Sequence, residues 1–415
     1  MKRVTLFALT LGLIAATHTT TERTASALPP LSPPQPNVTV PPGMASASST
    51  FAFDLYAHVR TNDNVFVGPG SLRTALSMTA LGAKGATASQ MASVLRVDPD
   101  PKKIVSGAVA EQNELSAAVR NGAQLRSSNH VFAANGFPFL SSFTSDVTTG
   151  FHAAPENLDF MNAPEPARLH INHSVSGDTN AKIPELLRAG TITNDTRLVL
   201  TNAVYFKAAW DTPFEKSRTQ NAAFYTLSPA GSPSTVPMMH QTERMNGAAF
   251  AGGKIVEIPY RDTNLVMDVI VPDDRAGLSA LESKLDGNSF AGMVSTLSPK
   301  NVTLALPKFS FSWGGSVADP LGKMGIRQAF SDGADFSGIS SREHLKIDDV
   351  IHKTFVAVDE AGTEAAAATA VVMRTTAEAP SAPALDINAD HPFVIVIREG
   401  SQVLFIGHVA NPKTS

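Results

Sequence analysis

Twelve consecutive residues, Asp359 to Ala370 (DEAGTEAAAATA), constrain the fold of this chain more than any other stretch. Asp359 and Glu360 open the tract, and Ala361 and Gly362 follow. Seven of the next eight residues are Thr or Ala, with Glu364 the one charge among them. Immediately upstream, Lys346 to Asp359 (KIDDVIHKTFVAVD) alternates apolar and polar residues as a strand does. A strand seldom runs on into so featureless a tract. A loop would need Gly, Pro, Asn or Asp at its turns, and after Gly362 the tract has none. Alanine is the best helix former, so one reading is an exposed helix. The other is an extended segment trimmed of bulk so that it can slide between two existing strands.

The second reading makes specific demands. Side chains of an extended segment alternate faces. Thr363, Ala365, Ala367 and Thr369 would share one face and pack beneath a sheet. Glu364, Ala366, Ala368 and Ala370 would share the other. A proline would delete ladder donors, and an inward-facing charge would cost several kcal/mol. The tract contains neither.

The chain has 415 residues, 43% hydrophobic and 17% charged, which is enough apolar material for a large core. No interior linker interrupts it after residue 50, which predicts one large domain. Lys2 and Arg3, the apolar run Val4 to Ala16, and Ala25-Ser26-Ala27 read as a secretory signal peptide over residues 1–27 cleaved after Ala27. A short uncleaved anchor is the alternative. Without residues 1–27 the chain keeps 30 basic and 36 acidic residues, net −6, which argues against a general nucleic-acid or anionic-membrane binder. The chain has no cysteine, so disulfides, thiol catalysis and cysteine lipidation are excluded. Residues 28–48 are rich in Pro and Ser and read as an extended tether. Four sequons start at Asn37, Asn172, Asn194 and Asn301 and are read as chance. Helical patterns cluster early (45–60, 71–81, 87–95, 103–119) and strand patterns late, which suggests an α+β domain with mostly antiparallel sheets.

Seven collinear segments carry a family resemblance. They are Asn64 to Leu81 (NVFVGPGSLRTALSMTAL), Asn180 to Phe214 (NAKIPELLRAGTITNDTRLVLTNAVYFKAAWDTPF), Val236 to Gln241 (VPMMHQ), Leu306 to Phe311 (LPKFSF), Met324 to Ile339 (MGIRQAFSDGADFSGI) and the pair DHPFVIVI and LFIGHVANP closing at Pro412. With the alanine-rich tract they make a chain that resembles the serpins, the serine protease inhibitors, as a secreted, bacterial-type member. The resemblance implies the serpin fold over residues 49–415: three β-sheets, eight or nine helices, and an exposed reactive-centre loop at about 360–389. It implies a suicide inhibitor in which Glu360, Gly362, Thr363, Glu364, Ala365, Ala366, Ala367, Ala368 and Thr369 form the inserting hinge. Counting from Glu360, family spacing puts the reactive-site bond between Thr376 and Ala377, with Arg374 as the alternate. Small residues there suit an elastase-like or subtilisin-like serine protease. Ser71, Asn202 and His352 match the family's shutter, and Trp210 its breach residue. Gly68 replaces the usual serine of that shutter, and Ser174 an aromatic on the helix that covers the sheet. The implied protein is a secreted monomer, extracellular or periplasmic, with no cofactor, no metal, no nucleic acid and no membrane contact after signal cleavage.

Other readings are weaker. The chain has no G-x-S-x-G elbow, HExxH, P-loop or dinucleotide fingerprint, so nothing points to an enzyme. His170 and His173 have ligand-like spacing but no third ligand nearby, and read as a solvated or structural pair. Lys102 and Lys103 are an isolated basic pair. The runner-up is a serpin-fold binding protein or protease substrate that does not inhibit.

Overall fold

A computed structural model describes residues 46–119, 123–226, 233–363 and 385–412. Ser46 starts the first helix, α1 (Ala47–Val59), by accepting the Ser49 N–H on its hydroxyl. Pro69 and Pro101 stand at the first turns of α2 (Pro69–Ala80) and α4 (Pro101–Ala118), where a missing N–H costs nothing. Between them lies α3 (Gly85–Leu95). The remaining helices are α5 (Ser141–Phe151), α6 (Pro164–Asp178), α7 (Leu278–Glu282), α8 (Gly287–Ser295) and α9 (Ala318–Met324). The described residues thus hold nine α-helices, and none is long and apolar enough to cross a membrane.

The strands, in chain order, are β1 (Val65–Val67), β2 (Gln124–Ala134), β3 (Glu156–Leu158), β4 (Leu198–Ala209), β5 (Gln220–Phe224), β6 (Ser234–Phe250), β7 (Gly253–Pro259), β8 (Leu265–Pro272), β9 (Ser298–Pro307), β10 (Phe309–Ser316), β11 (Ile351–Asp359), β12 (Gly362–Thr363), β13 (Leu385–Asn388), β14 (Phe393–Glu399) and β15 (Gln402–Val409). The main sheet has the order β10-β11-β12-β4-β2-β3. The other two are continuous through the long β6. One edge of β6 pairs with β5 and then with β7, while β9 lies along its other edge. One of these sheets is therefore β5-β6-β9-β13, and the other continues from β6 through β7, β8, β14 and β15 to β1.

Two large cores result. One packs α1, α2, α3 and α5 against β14 and β15. The other lies between the inner faces of the sheets, where Val204, Phe206 and Ala208 of β4 and Trp210 just after it meet Phe405, Met267 and Leu306. A third cluster joins Ile171 and Val175 of α6 to Phe132 of β2 and Ala203 of β4, on the outer face of the main sheet. The fold is the α+β serpin architecture expected.

Candidate functional site

The site is a seam in the main sheet between β4 and β11. From His352 to Phe355, β11 pairs directly and in parallel with Asn202 to Tyr205 of β4. At the far end of the seam β12 stands between the two strands. It pairs antiparallel with both, Thr363 facing Val358 on one side and Ala208 on the other. The wedge follows from a tight turn. Asp359 Oδ1 accepts the backbone N–H groups of Ala361 (2.8 Å) and Gly362 (3.2 Å), as an Asp-initiated turn does. Gly362 is at φ 157°, and a Cβ there would collide with the Ala208 carbonyl oxygen, so only glycine fits between the strands.

Each residue of the turn is gripped. The Trp210 indole N–H donates to Asp359 O at 3.0 Å, and its backbone N–H donates to Ala361 O at 3.0 Å. Its ring stacks on Tyr260, with centroids 4.7 Å apart. The Tyr260 hydroxyl meets Thr363 Oγ1 at 2.6 Å. Burial pushes the Tyr260 phenol far above its usual range, the Thr363 contact opposing only in part, so it stays neutral. Glu360 is buried with its carboxylate 2.8 Å from Lys308 Nζ and accepting from Thr219 Oγ1 at 2.8 Å. Burial pushes this carboxyl up, but Lys308, the backbone and Thr219 outweigh it and hold it below the usual carboxylate range.

The closed part of the seam is pinned from beneath. The Gly68 N–H donates to His352 Nε2 at 3.0 Å, so the other ring nitrogen, Nδ1, carries the proton and donates to Asn202 Oδ1 at 3.0 Å. The Asn202 amide in turn reaches Ser71 Oγ (2.5 Å), Ser71 O (2.9 Å) and Asn129 Oδ1 (2.8 Å). His352 is fully buried, and desolvation pushes it down to about 4. The structure thus joins Ser71, Asn202 and His352 in one network and puts Trp210 at the other end of the same seam. The glycine at 68 does not leave a gap, because its backbone does the bonding. A Cβ there would stand 2.6 Å from Val204 Cγ1.

Five partners were not visible in the sequence: Asn129, Tyr260, Lys308, Thr219 and the Gly68 N–H. Asn129 comes opposite Asn202 only through the β2–β4 register, which no local pattern gives. Glu364, Ala365, Ala366, Ala367, Ala368, Thr369, Arg374, Thr376 and Ala377 lie outside the described residues. His170 is paired with Glu156 at 2.8 Å, and no group of three metal-ligating side chains occurs among the described residues. Lys103 is paired with Asp98. Asn172 is buried, with its amide bound to Leu186 and Leu187, so the sequon there is closed to modification. The Ser174 hydroxyl bonds back to His170 O at 3.1 Å.

The family model for serpins, described as serine protease inhibitors, matches residues 46–412. The chain belongs to the serpin family. It is 36% identical over 381 residues to a leukocyte elastase inhibitor of Xenopus laevis, covering 89% of this chain and 99% of that one. It is 34% identical over 391 residues to Serpin B4 of Homo sapiens, with the same two coverages. Among solved structures it is similar to uncleaved ovalbumin (TM-score 0.78, 27% identity, 89% of this chain and 99% of that chain). These relatives correct the expected destination of this serpin. Kinship with leukocyte elastase inhibitors and Serpin B members points away from a secreted, extracellular or periplasmic protein. It gives no support to a bacterial-type member either. The leukocyte elastase inhibitors among its relatives are protease inhibitors, not enzymes.

Proposed function

We propose that this serpin traps a serine protease of elastase type by inserting its cleaved reactive loop into the main sheet. The observation that carries this reading is the wedge. Gly362 and Thr363 already occupy the space between β4 and β11 that a longer strand would fill, with Thr363 buried on the inner side. The protease serine attacks the Thr376 carbonyl, an acyl-enzyme forms, and Ala377 leaves as the new amine. The tract from Glu364 onward then continues the line that β12 begins, as serpin loops do when they add a strand. The tethered protease is dragged with it, its oxyanion hole is distorted, and deacylation stalls. The catalytic groups are the protease's. This chain supplies bait and a sheet that is already parted. The small side chains of Thr376 and Ala377 suit a small specificity pocket, in keeping with the elastase inhibitors among its relatives.

Incubation with an elastase-type protease tests this. The expected product is a detergent-stable complex plus a released peptide beginning at Ala377. Clean cleavage with no complex would instead make the chain a substrate or a non-inhibitory binder. A release that begins at Thr375 would move the bond to Arg374. Thr363→Arg puts a charge at a buried position, at a cost of several kcal/mol. It should abolish the complex while leaving cleavage intact.

A further inference from the structure

The segment after α6 crosses the seam on its outer face. The chain turns through Asn180 and Ala181, both left-handed (φ 51° and 60°). Lys182 Nζ then lies 5.2 Å from the centre of the Phe355 ring. Lys353 Nζ donates to Glu185 O at 2.7 Å. Phe355 and Lys353 belong to β11, whereas α6 itself packs on β2 and β4. This strap therefore spans the line along which a new strand enters. Insertion widens the seam by one inter-strand spacing, about 4.8 Å. Either the strap tears from β11, or α6 rises from the strands beneath it.

Two histidine–carboxylate pairs oppose that rise. His130 Nε2 on β2 lies 2.7 Å from Asp178 Oδ2 at the end of α6, and Ser128 Oγ donates to the same oxygen at 2.8 Å. His170 Nε2 on α6 lies 2.8 Å from Glu156 Oε1 on β3. The Phe132 ring stands between the two imidazoles, 5.3 Å from His130 and 6.4 Å from His170. The four side chains are 32% to 47% exposed, so protons reach them freely. The two pairs tie α6 down at its middle and at its end.

We propose that these two pairs form a proton-operated latch on α6, which slows loop insertion when both imidazoles are charged and releases as they become neutral. The inference rests on the insertion reading given above. A charged imidazole makes an ion pair with its carboxylate, whereas a neutral one keeps at most a single weaker hydrogen bond. The other charged groups facing the latch are arginines and carboxylates. Arg126 on β2 acts on Asp178. Glu165 and Arg168 on α6 pair with each other, and Arg168 also pairs with Glu185. The β4 residue opposite His130 is Thr201. His173, exposed on α6, is the one further histidine on that helix. Burial pushes the Asp178 carboxyl up, but the bonds from His130 and Ser128 outweigh it and hold it below its usual range.

The test is annealing of a synthetic peptide copying residues 363–376 into the intact serpin, followed through Trp210 fluorescence. The rate is compared between about pH 5.5 and about pH 8. Annealing should be about three- to ten-fold slower at the lower pH, the size of two exposed ion pairs. The double variant His130→Gln with His170→Gln should anneal at a rate nearly independent of pH, and Asp178→Asn should lose part of the dependence. A wild-type rate that does not change with pH would overturn the latch while leaving insertion intact. So would a double variant that keeps the full pH dependence. Failure to anneal at any pH would overturn the insertion reading, and the latch with it.

Discussion

His352 is held by two bonds that only its neutral ring can make, one accepted from Gly68 and one donated to Asn202. A proton on Nε2 would face the Gly68 N–H and break the first. Burial keeps that proton away down to about pH 4, whereas an unfolded histidine takes it up near 6.5. The unfolded state therefore binds more protons between those values. The stability contributed by His352 is complete above about pH 6.5 and declines as pH falls towards 4, by roughly 3 kcal/mol in all. Denaturant midpoints measured from pH 7 to pH 4 should show this slope, and His352→Ala should remove it. At constant pH the same variant removes the His352 partner of both Asn202 Oδ1 and the Gly68 N–H, a loss of about 1–3 kcal/mol. Gly68→Ser is expected to destabilise rather than to restore a family hydroxyl. Its Cβ presses on Val204, a stiff β-branched residue in a filled core, at a cost of about 1–3 kcal/mol readable in the melting temperature. Ser71, Asn202 and His352 were legible only through the family resemblance. They lie up to 281 residues apart, and no local pattern marks three polar residues as neighbours. Tyr260 and Lys308 had no signal at all, because a tyrosine after a strand and a lone lysine are ordinary surface and core residues until the fold brings them to Thr363 and Glu360.

Apolar runs in the later part of the chain could be read directly as strands, and β14 (FVIVIRE) and β15 (QVLFIGHV) are buried along nearly their whole length. Two elements show why others could not. The strand expected over Lys346–Asp359 begins only at Ile351. Its first residues are captured by neighbours instead: the Ile347 N–H donates to Ala329 O, and Val350 O accepts from the Val317 N–H. Alternation says that a segment is able to pair but not that an edge is there to meet it. In β6 (STVPMMHQTERMNGAAF) the alternation is broken, because one strand serves two sheets and its buried side changes along its length. At the parted end of the seam, β12 depends on the turn before it. Glu360 is 6% exposed and owes its ionised state chiefly to Lys308. Lys308→Met would leave that carboxylate buried without its cation, at a cost of about 1–2 kcal/mol. The expected result is a lower melting temperature and a red shift in Trp210 emission as the turn loosens. The unpaired carboxyl would also titrate at higher pH than in the wild type. An unchanged spectrum would mean that the Asp359 turn holds β12 without help.

At the scale of the molecule, the main sheet is incomplete. Its two central strands are joined directly over four residues, kept apart at one end by a two-residue wedge, and strapped across from outside by the chain after α6. A strand completed from Thr363 onward would gain hydrogen bonds on both edges at once. Each is worth only about 1 kcal/mol net, but a dozen residues paired on two sides contribute on the order of 10 kcal/mol or more. On the proposed mechanism the intact chain does not collect this, because residues 364–384 join β12 to β13, which is itself paired with β9. One cut between them removes the tie. For a domain of this size the entropy of unfolding is roughly 0.8 kcal/mol per degree, so that gain corresponds to a rise in melting temperature of about 10 °C or more. Calorimetry of the intact serpin and of the same protein nicked at Thr376 should show that rise. The His352→Ala variant, whose seam is less firmly closed, should start lower and gain more. Nicked and intact proteins that melt together would mean that the two-residue wedge is as far as the loop goes, and would leave this chain a serpin in fold alone.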